Sequence, residues 1–159
     1  MSNKFVQTLK NPVLFRLYLF FKLPAAFFSG VRVREIDEQH CVVTVPYKWF
    51  SQNPFRSTYF ACLAMAAEMS TGSLAMAHVY KRVPAVSMLV VKFEANYFKK
   101  ATGRTRFECM DGALLLNAIE KAIATREPQV CITTSTGTNK QGEKVAECQI
   151  TWSFKSRQS

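Results

Sequence analysis

The chain has 159 residues, of which 48% are apolar and 20% are charged. This composition is typical of one globular domain with a real hydrophobic core, and it excludes disordered and fibrous proteins. The 21 Lys and Arg outnumber the 11 Asp and Glu, and the net charge of +10 favours an anionic partner: a nucleotide-bearing ligand, an acidic carrier protein, a membrane surface or nucleic acid. The basic residues are scattered and accompany no nucleic-acid-binding module, so we expect no nucleic-acid partner.

Five cysteines are present, an odd number, and no two of them form a CxxC pair. Most of them occupy apolar positions of predicted elements, as reduced core thiols do. The pattern argues against a disulfide framework and against a zinc site, and it predicts a cytoplasmic protein. These residues are Cys41, Cys62, Cys109, Cys131 and Cys148.

Residues 13–28 are strongly apolar but are interrupted by Arg16, Lys22 and Pro24. The uninterrupted runs are far shorter than the ~20 residues that cross a bilayer, and no secretory cleavage site follows. Apolar side chains recur at helical spacing at Leu14, Leu17, Tyr18 and Phe21. We therefore expect an amphipathic N-terminal helix that packs on the domain or on a partner. Peripheral contact with a membrane through residues 13–28 is the alternative.

The next elements read as two strands, a helix and a third strand. Alternating residues predict a hairpin from 31–36 and 41–47, followed by an irregular loop over 48–56. A long apolar helix is predicted over 57–80, with Ser57 or Thr58 as its N-terminal cap. Residues 87–97 alternate between apolar and polar side chains, which predicts a strand with one buried face.

The C-terminal part continues with a strand over 104–110, a helix over 113–125 and a hairpin of strands 130–137 and 144–154. The last strand is apolar on one face only, which is typical of an antiparallel sheet. We predict an α+β fold in which a curved antiparallel sheet wraps around the long helix. One domain is expected over residues 1–159, with residues 1–28 as a helical extension packed on it.

Glu68 is the acidic residue of the long apolar helix, where apolar side chains cover nearly the whole circumference. A buried carboxylate is costly to ionise, and desolvation raises its pKa towards the range of a general base. A structural acid bonded to an Arg or to backbone groups is the other interpretation. Glu68 is the first candidate for a catalytic group.

This order of elements resembles the hotdog fold of acyl-CoA thioesterases and related dehydratases, over about residues 23–155. Within that superfamily the chain is most similar to the phenylacetyl-CoA type. In that type a loop Asn precedes a His-Gly-Gly signature by six positions, and a carboxylate follows the His by nine. Asn53, Tyr59-Phe60-Ala61 and Glu68 stand at those spacings. Residues 93–103 also resemble the family strand that ends in a basic turn and Gly. The chain is also similar to a branch of this superfamily whose members are labelled thioesterases without an established substrate.

The resemblance implies a homodimer in which two sheets join edge to edge and the ligand lies between the subunits. Whether dimers pair further into tetramers stays open. Family members hydrolyse a thioester to a carboxylate and a free thiol without a metal or an organic cofactor. Coenzyme A, or an acyl-carrier protein, would enter as part of the substrate.

By the same resemblance, Glu68 acts as general base or nucleophile and Asn53 holds the lytic water or polarises the thioester. Backbone N–H groups near Phe60 and Ala61, beside Tyr59, would face the thioester oxygen. Coenzyme A phosphates would meet basic side chains, and a strand hydroxyl would meet the thioester. These residues are Lys99, Lys100 and Arg104 for the phosphates and Ser87 for the hydroxyl.

Tyr59-Phe60-Ala61 replaces the His-Gly-Gly signature, and glycine there lets the backbone approach the thioester closely. A non-catalytic module that binds an acyl chain or acyl-CoA is therefore the alternative function. Asn53 could instead bond its own loop, and Ser87 could satisfy local backbone. His40 lies in a hairpin turn and His78 at the end of the long helix, so neither is in the buried part of that helix or in the loop before it, which argues against dehydratase chemistry.

Overall fold

A computed structural model describes residues 4–157; residues 1–3 and 158–159 of the predicted domain lie outside the described residues. The helices are α1 Lys4–Lys10, α2 Pro12–Lys22, α3 Pro24–Ser29, α4 Phe60–Val79 and α5 Gly112–Thr125, with a 3-10 turn at Trp49–Ser51. The strands are β1 Arg32–Ile36, β2 Cys41–Val45, β3 Val86–Tyr97, β4 Thr105–Cys109, β5 Gln129–Thr138 and β6 Lys144–Ser156. The predicted strands and the two predicted helices in the body of the fold are confirmed, with ends shifted by a few residues.

The strands form one antiparallel sheet in the order β1-β2-β4-β5-β6-β3, so β3 is an edge strand. The register of β3 against β6 shifts between Val90 and Lys92, because Val91 is an extra residue that bulges out of the ladder. Residues directly opposite each other share a face. Val90 pairs with Trp152 and Phe93 with Ile150, so both β3 side chains lie on the sheet face that carries Trp152 and Ile150 despite their odd spacing.

Helix α4 lies on the concave face of the sheet and contacts all six strands. Its length and composition would suffice to cross a bilayer, but half of it is buried inside the protein, as expected of a core helix. Polar groups fix its orientation within the core: the indole N–H of Trp152 donates to Thr71 Oγ1 (3.0 Å), and the hydroxyls of Ser70 and Ser135 are 2.7 Å apart. The predicted α+β fold, a curved sheet around a long helix, is confirmed.

The N-terminal extension consists of three helices, where the sequence predicts one over residues 13–28. Asn11 caps α2 by accepting from the N–H groups of Val13 (3.0 Å) and Leu14 (3.2 Å). The division at Leu23 follows from Pro24, which lacks an N–H and clashes in a helix interior. Leu19 is fully buried in the core cluster, so the extension packs on the sheet-and-helix body.

Helix α4 begins without a side-chain cap, and the prediction that Ser57 or Thr58 caps it is wrong. The N-cap residue is Tyr59, whose side chain makes no capping hydrogen bond. Thr58 Oγ1 instead donates to the carbonyl of Ala101 (3.1 Å), and Ser57 bonds Asn53. Both hydroxyls are used to tie the loop to its neighbours rather than to close the helix end.

Gly112 provides a test of the packing between α5 and the β1–β2 turn. A Cβ at Gly112 would overlap the carbonyl oxygen of Glu38 and lie 2.5 Å from the Cα of Gln39. Because both are backbone atoms, they cannot move away cheaply. Gly112→Ala should lower the free energy of unfolding by about 2–4 kcal/mol, measured by urea denaturation.

Gly103→Ala is the matched control, because a Cβ there meets nothing within 4 Å. We expect that variant to change stability by less than about 1 kcal/mol. Equal stability of the two variants would contradict the close approach of α5 to the turn.

Candidate active site

Glu68 projects from α4 into a cavity of about 140 Å³ between the N-terminal helices and the concave face of the sheet. The wall is largely apolar, with Glu68, Ser73 and Tyr18 as the side chains that bring polar atoms to it. The lining residues are Phe5, Leu9, Phe15, Tyr18, Leu23, Glu68, Met69, Gly72, Ser73, Met76, Met88 and Trp152. A cavity of this size with several polar groups can hold water.

The Glu68 carboxylate has no hydrogen-bond or ion-pair partner among residues 4–157. Burial raises its pKa above the ordinary value for Glu, because the apolar wall disfavours the charged form. If Glu68 were only a structural acid, an Arg side chain or a backbone N–H group would donate a hydrogen bond to its carboxylate. No such donor contacts the carboxylate in the described chain. A desolvated carboxylate that lies beside a cavity is able to accept a proton from a water molecule there.

Gly72, one helical turn after Glu68, sets the position of the carboxylate. A Cβ at Gly72 would lie 2.9 Å from Glu68 Oε1 and 3.2 Å from the ring of Trp152. The missing side chain therefore leaves room for the carboxylate to lie against the helix next to the indole. Trp152 is itself held by Thr71, whose hydroxyl donates to the carbonyl of Glu68 (3.0 Å).

A second depression, an open groove of about 630 Å³, lies at the N-terminus of α4. It is lined by residues 53–55, 57–60, 63 and 97–101. The backbone N–H groups of Phe60 and Ala61 have no acceptor in the part of the chain that the structure describes. Tyr59 and Phe60 are exposed on the groove, so Phe60 does not plug it. Free N–H groups at a helix N-terminus favour negative charge.

Asn53 lies in this groove, but both ends of its amide bind its own loop. Oδ1 accepts from the N–H groups of Phe55 (2.9 Å) and Ser57 (3.2 Å), and Nδ2 donates to Ser57 Oγ (3.0 Å) and to the carbonyl of Thr58 (3.4 Å). This geometry is the Asx-type turn of the structural alternative. Asn53 therefore shapes the loop that carries Tyr59 to the groove.

The predicted basic residues occupy the other end of the groove. Lys99 is paired with Glu143 (2.6 Å), and Lys100 Nζ donates to the carbonyl of Phe55 (3.3 Å). Lys100 also lines a neighbouring polar pocket of about 190 Å³, together with Arg104 and Lys140. Groove and pocket share Lys100 and are therefore contiguous, and their basic side chains offer charge-assisted hydrogen bonds to an anion.

Ser87 lies apart from both depressions. Its hydroxyl donates to the carbonyl of Lys155 (3.2 Å), and its neighbour Met88 lines the Glu68 cavity. Since successive side chains of a strand point to opposite faces, Ser87 is on the outer face of the sheet. The structure thus brings Asn53, Tyr59, Phe60, Lys99 and Lys100 together, places Arg104 next to them, and puts Glu68 in a separate cavity.

Sequence reasoning missed Gly72, Trp152, Ser73 and Tyr18 as neighbours of Glu68. Gly72 carried a usable signal, because residues four apart lie on one face of a helix. The alternation of the last strand places Trp152 on its apolar face, but the sequence does not say which part of α4 Trp152 meets. The sequence pattern does not show that residues of α1 and α2 line the Glu68 cavity, because only tertiary packing places them there.

The cysteine thiols are unsuited to nucleophilic chemistry. All five are buried, and burial raises the pKa of Cys109 to about 12 and that of Cys131 to about 11. A thiol in this state holds its proton at neutral pH. Across residues 4–157, no three His, Cys, Asp or Glu side chains converge to hold a metal ion.

Glu68→Gln tests the desolvation of the carboxylate through stability. Because burial raises the Glu68 pKa, the folded protein keeps the proton to a higher pH than the unfolded chain does. Wild type should therefore lose stability relative to Glu68→Gln as the pH rises from about 4, where an ordinary Glu ionises, through the folded-state pKa. Urea unfolding across this range measures the difference.

Glu127→Gln is the control for the loss of one negative charge, because Glu127 is exposed just after α5. A stability difference between wild type and Glu68→Gln that stays constant with pH would contradict a desolvated Glu68.

Three solved structures illustrate the likeness of the fold. A Pseudomonas aeruginosa protein of unknown function is 21% identical, with a TM-score of 0.77 over 92% of this chain and 97% of that one. A Haemophilus influenzae thioesterase is 12% identical, with a TM-score of 0.67 over 92% and 91%. A mutant thioesterase from Pseudomonas aeruginosa is 14% identical, with a TM-score of 0.66 over 89% and 93%.

These likenesses confirm the hotdog fold that the sequence resemblance implied. None of the curated proteins matches the sequence. A family model described as a domain of unknown function, DUF4442, matches residues 13–154. This range is most of the chain, and the protein therefore belongs to the DUF4442 family.

Proposed function

We propose that this protein is a thioesterase that hydrolyses an acyl thioester, with Glu68 as the general base. The observation that carries the proposal is the Glu68 carboxylate itself, which is desolvated, has no partner among the described residues and lies beside a cavity. The shared fold with the thioesterases of Haemophilus influenzae and Pseudomonas aeruginosa supports the same chemistry. We place the activity in the cytoplasm, because reduced, buried thiols suit that compartment.

The reaction needs a base and an acid in turn, and one carboxyl group supplies both. The Glu68 carboxylate takes a proton from water as the water oxygen attacks the thioester carbonyl carbon. The C–S bond then breaks, and the Glu68 carboxylic acid returns the proton to the departing thiolate. A raised pKa suits this role, because the group must both accept and release a proton near neutral pH.

The developing oxyanion requires donors that Glu68 cannot provide. The free N–H groups of Phe60 and Ala61 are suited to this, since they are aligned with the positive end of the α4 dipole. Glu68 follows Phe60 by eight residues, which corresponds to about 12 Å along a helix. One thioester therefore cannot touch both groups within one chain.

A two-fold dimer would remove this separation, because it would place α4 of one copy antiparallel to α4 of the other. Glu68 of each copy would then approach Phe60 and Ala61 of its partner. Strand β3 supplies the contact: it is twelve residues long, lies at the sheet edge and leaves one row of backbone groups unpaired. Long edge strands of this kind are covered in natural proteins. We infer an edge-to-edge homodimer.

The thioester is proposed to carry coenzyme A. The groove at the α4 N-terminus is apolar around Phe60, Tyr97 and Phe98 and leads to the basic pocket at Lys100 and Arg104. An extended ligand with an anionic end and a less polar arm fits this sequence of surfaces. An acyl-carrier protein would place its phosphate at the same basic residues.

Glu68→Gln should lower kcat for hydrolysis of a panel of acyl-CoAs by about 10²–10⁴-fold, because a neutral amide cannot accept the proton. Release of free thiol, followed with a thiol reagent, measures the rate. Glu127→Gln should keep wild-type turnover. Unchanged turnover in Glu68→Gln would remove this residue from the mechanism.

Lys100→Ala together with Arg104→Ala should raise KM for acyl-CoA at least tenfold and leave kcat nearly unchanged, because charge-assisted bonds to phosphate act on binding. Hydrolysis of a short N-acetylcysteamine thioester, which has no phosphate, should be unaffected. Lys121→Ala, an exposed lysine of α5, is the matched control. An unchanged KM for acyl-CoA in the double variant, or a similar rise in KM for both substrates, would contradict the assignment of the pocket.

The alternative, a non-catalytic acyl-binding module of the same fold, is favoured by two features. Tyr59-Phe60-Ala61 stands where thioesterases of the resembling type have His-Gly-Gly, and the Asn53 amide is occupied by its own loop. Saturable binding of acyl-CoA without thiol release would select this alternative over hydrolysis.

A further inference from the structure

Seven large apolar side chains project from α2, α3 and the 3-10 turn to form one exposed surface, here called the aromatic patch. Its members are Val13, Leu17, Phe20, Phe21, Phe28, Trp49 and Phe50. Trp49 is 80% exposed and Phe21 is 73% exposed. Contiguous exposed apolar side chains of this size mark an interaction site rather than ordinary surface.

Ring contacts assemble the patch from segments that are distant in sequence. Phe20 contacts Phe27 (5.1 Å between centroids), Phe27 contacts Phe28 (5.2 Å), Phe28 contacts Phe50 (5.5 Å) and Phe50 contacts Trp49 (6.0 Å). Helices α2 and α3 are thereby joined to the 3-10 turn through one row of rings. The patch is preformed, so a partner need not order it.

The chain segments that carry the patch are basic and contain no acidic residue. Residues 4–34 contain six Lys or Arg and no Asp or Glu, and residues 46–67 contain Lys48 and Arg56 and again no acid. Lys10 and Lys22 are exposed at the last turns of α1 and α2. An apolar surface framed by unpaired cations complements an anionic surface that has an apolar interior.

A shallow apolar groove of about 550 Å³ lies within the patch, lined by Pro12, Val13, Arg16, Leu17, Phe20 and Phe27. The Arg16 guanidinium is centred 4.0 Å above the ring of Phe27 and donates to its carbonyl (3.3 Å). The groove therefore combines an apolar floor with a fixed cation at its wall. This is the pairing that an acyl chain with an anionic headgroup requires.

We propose that the aromatic patch docks this protein on an anionic lipid bilayer. Trp and Phe side chains enter the interfacial region of a bilayer, and lysines around them attract anionic headgroups. A second copy of the chain is a poor occupant, because two acid-free basic faces would repel each other. The proposal is independent of the chemistry at Glu68.

Vesicle binding by the full chain tests the proposal. Large vesicles of phosphatidylcholine with 30% phosphatidylglycerol should sediment the protein, and 0.5 M NaCl should weaken the binding. The chain has two tryptophans, and Trp152 is buried in the core. A blue shift of tryptophan emission on vesicle addition would therefore report the entry of Trp49 into lipid.

Phe21→Ala with Trp49→Ala should weaken vesicle binding by at least tenfold for each aromatic side chain removed. Lys10→Gln with Lys22→Gln should weaken it about fivefold for each charge lost. Val130→Ser with Ile132→Ser is the control, since these apolar residues are also more than half exposed but lie on the sheet, away from the patch. That control should bind as wild type does.

Several results would overturn the proposal: protein that stays in the supernatant, equal binding to pure phosphatidylcholine vesicles, or equal loss in the control variant. The protein could instead fail to bind vesicles and form oligomers or complexes with an acyl-carrier protein. If Phe21→Ala and Trp49→Ala abolish those complexes, the patch belongs to that partner and not to a membrane. Hydrolysis of soluble short-chain thioesters is measured in wild type and in the patch variants. Normal hydrolysis without vesicle binding would contradict only the membrane proposal, and vesicle binding without hydrolysis would contradict only the proposed function.

Discussion

The constraint on which the rest of this structure depends is the Glu68 carboxylate, which is largely desolvated and has no compensating charge among the described residues. Helix α4 could bury its sheet-facing side more completely with a Leu or Met in place of Glu68, because the surrounding residues are apolar. Because burial raises the pKa of Glu68, the acid lowers stability at neutral pH. The surrounding core, with fully buried side chains such as Phe107 and Phe154, offsets its desolvation.

The fold distributes the parts of the proposed hydrolytic site along one helix. Glu68 stands at mid-helix, the free N–H groups stand at its N-terminus, and the basic pocket lies beyond the helix end. In the proposed mechanism this separation is too large for one ligand in one chain, and the proposed two-fold dimer would complete the site. The open edge of β3 and the gap between the two depressions are thus two aspects of one geometry.

Most of the fold could be predicted from the sequence, because alternation along the strands and the all-round apolarity of residues 57–80 are local patterns. The lone acid in that segment identified Glu68 for the same reason. Local patterns failed where tertiary contacts decide the outcome. Thr58 is diverted from capping by Ala101, 43 residues later, and the Asn53 amide is used up by its own loop. The walls of the Glu68 cavity come from α1 and α2, whose position no spacing rule encodes.

The extra residue at Val91 has a consequence for how this protein can vary. Before Val91 the even-numbered residues Met88 and Val90 lie on the α4 side of the sheet, and after it the odd-numbered residues Phe93 and Ala95 do. The bulge at Val91 allows both sets to lie on the same face. Loss of one residue elsewhere in the strand would move Phe93, Ala95 and Tyr97 to the opposite face of the sheet. It would also shift which backbone N–H and C=O groups of β3 are free to pair with another strand. Natural length changes in β3 should therefore occur in pairs, or be confined to this one position.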